Sequence, residues 1–280
     1  MRSMKLSLLS AGIAALSLAV ATSSIFAIQQ GAAPAGAPPA AGQGAGGAAR
    51  GGARGGPAAP ATVPLAPANP ARHQGFVDIA MKGNIDLLFV GDSITDFWRR
   101  DYQDGATGSQ PLTGLPVWKE TFGKLNAANF GIAGDTTQGV LWRMQNGELE
   151  GFKAKLIVLM LGTNNINRNP NDDIVEGDRL IVEEFKKRQP QAKVLILGIF
   201  PRVAAPDNPF RPTIKEINSK LAKIADNKQV FYLDIDDKFL TADGTLTTEI
   251  MADGLHPTTK GYQIWADATL PRVKELIGMK

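Results

Sequence analysis

Cysteine is absent from the 280 residues, which removes disulfides, thiol nucleophiles, thiolate metal sites and a lipid-attachment cysteine together. Histidine is nearly absent. His73 and His256 are the only two, so imidazole chemistry near neutral pH rests on one of them. Acids are missing from the first 72 positions, which hold Arg2, Lys5, Arg50, Arg54 and Arg72. Those five bases carry the formal charge of +3; the remaining chain has 25 bases against 27 acids, a net charge of −2. The high pI therefore gives no ground for a nucleic-acid partner.

A long apolar run is also lacking. The one from about Leu8 to Val20 is too short for a comfortable membrane span. Met1 to Ala27 begins with Arg2 and Lys5 and ends in small residues, the pattern of a secretory signal, with an uncleaved anchor as the alternative because spans and signals overlap in length. The expectation is export to a periplasm or to the outside, with no stable membrane span after processing. Residues 28–72 are Gly, Ala and Pro with scattered Arg, a composition read as a disordered linker because it buries too little apolar surface to order itself. Residues 73–280 have the usual length of one domain with a full core.

Within that domain, Leu87 to Val90 is a short apolar run stopped by Gly91, as in a strand buried on both faces of a parallel sheet. Ser93, Ile94, Phe97 and Trp98 then keep helical spacing, which puts Ser93 in the turn between strand and helix. Leu125 to Phe130, Leu156 to Leu161, Lys193 to Phe200 and Gln229 to Ile235 are further strands. Helices are expected over Val117 to Leu125, Gln138 to Asn146, Asp173 to Arg188, a segment with Ile214, Ile217, Leu221 and Ile224 inward, and a last one from Thr258 that Pro271 bends or interrupts. Asp101 to Pro116 reads as a surface loop. This alternation predicts an α/β fold, a parallel sheet with helices on both faces. Such sheets carry their functional loops at the strand ends.

Three of those ends hold small and polar residues: Gly91 to Ser93, Gly131 to Asp135, and Gly162 to Asn165. A serine hydroxyl needs a base to become a nucleophile. His73 stands at the linker boundary, where a solvated surface role is expected. His256 follows Asp253 by three residues, a spacing that lets the carboxylate fold back over Gly254 and orient the ring. Ester hydrolysis places negative charge on the carbonyl oxygen, so donors must face it. The Gly134 amide and the Asn164 side chain are candidates. Each also has a plainer reading: Ser93 and Asp96 match a helix capping box, Asp253-Gly254 a turn, His256 a helix-entry residue, Gly134 a turn glycine and Asn164 a loop asparagine.

Together the segments resemble the SGNH (GDSL-type) serine hydrolases. Gly91-Asp92-Ser93-Ile94, Gly134-Asp135-Thr136, Gly162-Thr163-Asn164-Asn165 and Asp253-Gly254-Leu255-His256 match the family's first, second, third and fifth blocks in order. The resemblance implies a three-layer α/β/α sandwich of flavodoxin-like type, with Ser93 as nucleophile, His256 as base, Asp253 as its orienting acid, and an oxyanion hole from the Ser93 and Gly134 amides and the Asn164 side chain. Ile94 stands where the family has its eponymous leucine and Asn165 where an aspartate is frequent. Asn129 to Gln138, Leu141-Trp142-Arg143, Asn146 to Leu149 and Arg188 to Ala192 look like the catalytic (alpha) subunits of platelet-activating-factor acetylhydrolase, which implies removal of short acyl groups and a homodimer.

The sequence thus predicts an exported serine esterase for short acyl, above all acetyl, esters, with acetylated saccharides as first substrate and lysophospholipid or acetyl-phospholipid as alternative. No metal or organic cofactor is expected, since no His/carboxylate cluster has ligand spacing. The rival from another class is a non-catalytic carbohydrate- or surface-binding module on a tether, with Trp98 or Trp118 exposed, although tryptophans at these spacings are more often core.

Overall fold

The computed structural model describes residues 58–100, 106–107 and 110–279. The expected signal and most of the expected linker lie outside them, as does part of the loop after Asp101. The boundary at His73, however, falls inside a helix. α1 spans Pro70–Met81, entered by Asn69, whose side chain accepts from the Arg72 amide, with Pro70 at the first helical position where its missing N–H costs nothing. The folded chain thus begins earlier than composition suggests. Ala61 is fully buried, because the backbone of this Ala/Pro stretch supplies what its side chains do not: the Ala59 carbonyl accepts from the Gln138 and Asn169 side chains, both at 2.9 Å, and the Ala61 carbonyl from the Thr137 hydroxyl at 2.8 Å.

β1 (Leu87–Gly91) leads into α2 (Ser93–Asp96) and a 3₁₀ turn, Phe97–Arg99. A two-stranded ribbon follows, β2 (Ala106–Thr107) with β3 (Gln110–Pro111), unforeseen in the sequence. α3 (Leu115–Glu120) and a 3₁₀ turn (Phe122–Leu125) replace the single helix expected there. Then come β4 (Ala127–Gly131), α4 (Thr137–Gln145), β5 (Leu156–Met160), α5 (Asn171–Arg188), β6 (Lys193–Leu197), α6 (Phe210–Leu221), β7 (Val230–Leu233) and α7 (Thr259–Ile277). α5 has Asp172 and Asp173 in its first turn and Lys186 to Arg188 in its last, matching the helix dipole at both ends. α7 is assigned as one helix through Pro271, so the expected interruption does not occur.

The main sheet is parallel with order β4-β1-β5-β6-β7. Its side chains alternate between two apolar layers. Leu88, Val90, Ile157 and Leu159 pack with α1, α4, α5 and α6; Leu87, Phe89, Val158 and Met160 pack with α3 and α7. This is the three-layer α/β/α sandwich, in the flavodoxin-like strand order. The chain leaves β1 first toward β4 and later returns to β5 on its other side. The strand ends around β1 therefore form the switch-point crevice where such sheets bind ligands.

Four residues of α2 do not hold a helix by themselves. Trp98 anchors them. It is fully buried, with ring centroids 4.4 Å from Tyr262 and 4.9 Å from Trp265, a core role for the tryptophan that a binding module would expose. α2 lies so close to the strand ends that a Cβ at Gly91 would collide with the Thr95 hydroxyl and the Met160 carbonyl. Among the described residues, no helix is long and apolar enough to cross a membrane.

Candidate active site

Asp92, not Ser93, caps α2: its side chain accepts from the Ile94 amide at 2.9 Å. The capping-box alternative is thereby corrected. Asp96 turns away to pair with Arg72 at 2.9 Å and Arg99 at 2.6 Å, tying α1 to α2. Relieved of capping, the Ser93 hydroxyl lies 2.8 Å from His256 Nε2. His256 Nδ1 lies 2.6 Å from Asp253 Oδ2. The geometry suits a relay in which the hydroxyl donates to Nε2 and Nδ1–H donates to the carboxylate, its serine and histidine 163 residues apart in the chain.

The turn carrying the relay is self-ordered. Asp253 Oδ1 accepts from the Leu255 and His256 amides at 3.0 and 2.8 Å, so one carboxylate orients both backbone and ring. Partial burial works to raise the Asp253 pKa, but the His256 ring and these amides outweigh it and bring it down to about 2. Asp253 is therefore ionised wherever the imidazole can act. The Phe97 ring packs on His256 at 4.7 Å, covering one face.

Gly134 has φ +83°, a conformation that costs glycine nothing, and no atom lies within 4 Å of where its Cβ would be. Asn164 donates one side-chain N–H to the Asp135 carbonyl at 2.8 Å. The amide has a second hydrogen, so this bond orients the group and leaves a donor. Next to it, buried Asn165 works as a joint: Oδ1 accepts from the Thr137 amide and Nδ2 reaches Thr137, Gln138 and Asn169 at 2.9 to 3.1 Å. Through Gln138 and Asn169 the segment around Ala59 is bonded to this loop. An aspartate at 165 would lack those donations, which accounts for the departure noted in the sequence.

Behind the Gly134 loop lies a polar network that sequence reasoning missed. Arg143 is fully buried, donating to Asp135 Oδ2 at 2.9 Å, to Glu148 and to the Phe130 carbonyl at 3.2 Å. Glu148 also accepts from His73 Nδ1 at 2.8 Å. His73 is thus buried and not the solvated residue expected. Its only sequence signal was its place three residues into a capped helix, which says nothing of the partner 75 residues away. Among the described residues no group of three or more His, Asp or Glu is placed to hold a metal ion.

A family model for GDSL-like lipases and acylhydrolases matches residues 89–264. The chain is 40% identical over 194 residues to platelet-activating factor acetylhydrolase IB subunit alpha2 of Rattus norvegicus, an alignment covering 69% of this chain and 77% of that one. Among solved structures it resembles a GDSL-like lipase from Bacteroides thetaiotaomicron (TM-score 0.53, 20% identity, 74% of this chain and 98% of the other). It also resembles an acetylxylan esterase from Geobacillus stearothermophilus (TM-score 0.52, 21% identity, 71% and 96%). At these identities the two structures bear on the fold.

Proposed function

The chain belongs to the GDSL-like lipase/acylhydrolase family and is a serine ester hydrolase, and from that premise we propose that it removes short acyl groups, acetyl above all, through an acyl-enzyme on Ser93. The carrying observation is the unbroken hydrogen-bond chain from Ser93 through His256 to Asp253. In this reading Ser93 Oγ attacks the acyl carbon as its proton passes to His256 Nε2. Asp253 stabilises the imidazolium that forms, and the Ser93 and Gly134 amides with the second Asn164 hydrogen meet the oxyanion. His256 then protonates the leaving alcohol, and a water, deprotonated by the same nitrogen, releases the acid.

The acetyl preference draws support from the relatives named acetylhydrolases. Export, inferred from Met1 to Ala27, favours acetylated saccharides as the natural substrate. The test is hydrolysis of 4-nitrophenyl acetate, butyrate and octanoate by the full chain beside Ser93→Ala, then acetate release from acetylated xylo-oligosaccharides against an acetyl-phospholipid. Acetate fastest, with Ser93→Ala down by about 10⁴ to 10⁶, upholds the acyl-enzyme; octanoate fastest defeats the acetyl preference, and turnover of the phospholipid alone defeats the saccharide. N-terminal sequencing of protein recovered outside the cytoplasm checks export. Light scattering checks the homodimer.

A further inference from the structure

Beyond β6 the chain makes a corner at Pro201, Arg202 and Val203 before entering α6. Val203 has φ +65°, the left-handed region that a β-branched side chain rarely enters and that persists only when surroundings over-determine it. Three bonds do so here. Val203 N–H donates to the Gly254 carbonyl at 2.7 Å. Arg211, from α6, donates to the Val203 carbonyl at 2.9 Å and to the Arg202 carbonyl at 3.1 Å. The corner is thereby locked to the turn that carries Asp253 and His256.

The lock fixes where Arg202 points. Its guanidinium carbon stands 4.2 Å from the Phe210 ring centroid, and Nη1 lies 3.4 and 3.5 Å from the carbonyl and hydroxyl of Thr163, the residue before Asn164. Arg202 therefore sits between the loop of Asn164 and the turn of His256, the two walls that an ester bound at Ser93 would meet. Its own needs are poorly met. Nε is buried without a partner, the Thr163 contacts are at the long limit, and among the described residues no carboxylate is close enough to form an ion pair with it. Burial pushes the guanidinium down from its usual pKa, partly opposed by the fields of Asp92 and Asp253. A half-buried cation with one buried, unpartnered N–H and no paired anion leaves part of its desolvation cost uncompensated. The planar fork of arginine suits one class of partner, an oxyanion that accepts two parallel N–H bonds.

We propose that Arg202 is a specificity-determining residue that receives an anionic oxygen group, such as a carboxylate, carried by the ester substrate. This rests on the esterase reading and narrows its substrate class to acidic esters. The anion sits either on the acyl group or on the alcohol, and two matched pairs of esters separate these. Phenyl hydrogen succinate against phenyl butyrate places the charge on the acyl side; 4-acetoxybenzoate against its methyl ester places it on the alcohol.

The readout is the ratio of kcat/KM, anionic over neutral, for the full chain and for Arg202→Gln and Arg202→Lys. Arg202→Gln lowers that ratio about 10- to 100-fold in at least one pair, the worth of a charged hydrogen bond. The loss enters through KM, and Arg202→Lys, which keeps the charge without the fork, recovers part of it. The responding pair identifies the side. A ratio unchanged in both pairs overturns the proposal, including the case where both members fall together because Arg202 merely supports Thr163. A wild type inert on all four esters, anionic and neutral alike, would instead remove the esterase reading, and this proposal with it.

Discussion

Each of the two histidines gives its Nδ1 a carboxylate: Asp253 at 2.6 Å for His256 and Glu148 at 2.8 Å for His73. On the far side of His256 is Ser93, at the crevice around β1. On the far side of Glu148 is Arg143, sealed against the Phe130 carbonyl behind β4. The same imidazole–carboxylate unit thus faces a serine hydroxyl at the sheet edge and joins a buried ion network inside. The difference lies in what surrounds it. Asp253 is steered by two amides and partly exposed, so it stays ionised. Glu148 is enclosed, and burial pushes its carboxyl up while Arg143 and His73 pull it back.

The largest expected effect separates the two rings. His256→Ala lowers kcat by about 10⁴ to 10⁶ and costs about 1–2 kcal/mol of stability, because the ring is mostly buried between Phe97, Ser93 and Asp253. His73→Ala costs about 1–3 kcal/mol of stability without that collapse of kcat. Equal kcat losses would break the comparison. Next in size is Arg143→Met, which strands Asp135 and Glu148 as buried carboxylates and lowers stability by about 3–5 kcal/mol in urea denaturation.

A third prediction has the opposite sign. Asp178 is buried on α5 with both carboxylate oxygens unpartnered, and burial raises its pKa well above the ordinary 3.8. Asp178→Leu should stabilise the fold at neutral pH by about 1–3 kcal/mol. A destabilised variant would mean that the carboxyl has a use the fold does not display.

The smallest effect is a pH dependence. Burial raises Asp92 from 3.8 to about 7, against the Ile94 amide and the His256 field. A raised acid favours the fold when protonated, so its contribution is complete below pH 3.8 and is lost as pH rises through about 7. Asp253, lowered to about 2, contributes fully above 3.8 and loses it as pH falls toward 2. Asp92→Asn keeps the cap to Ile94 and should lessen the fall in stability between pH 4 and 8, the rest of that slope belonging to other raised acids such as Asp178 and Asp236, and leave the acid limb unchanged. An unaltered slope over that interval would refute the assignment.

Much of the fold was legible because its causes are local. The apolar runs at Leu87 and Leu156 are strands buried on both faces, and the three-residue step from Asp253 to His256 needs only a turn to close. Capping was misread at Ser93 for an equally local reason: Asp92, one residue earlier, offers the same kind of oxygen to the same helix. The Ala/Pro stretch before Pro70 carries no apolar pattern, since its docking uses backbone carbonyls that every sequence has.

By itself, then, the sequence determined the alternation of strands and helices, the strand-end glycines and the chemistry available at each loop, because these depend on neighbours within a few residues. Tertiary structure alone decided that His73 is buried against Glu148, and that Arg211 and Gly254 hold Val203 in a conformation its side chain disfavours. Those choices join residues far apart in the chain. They are made where two layers of helices close on one sheet, and the packing that selects them leaves no local trace.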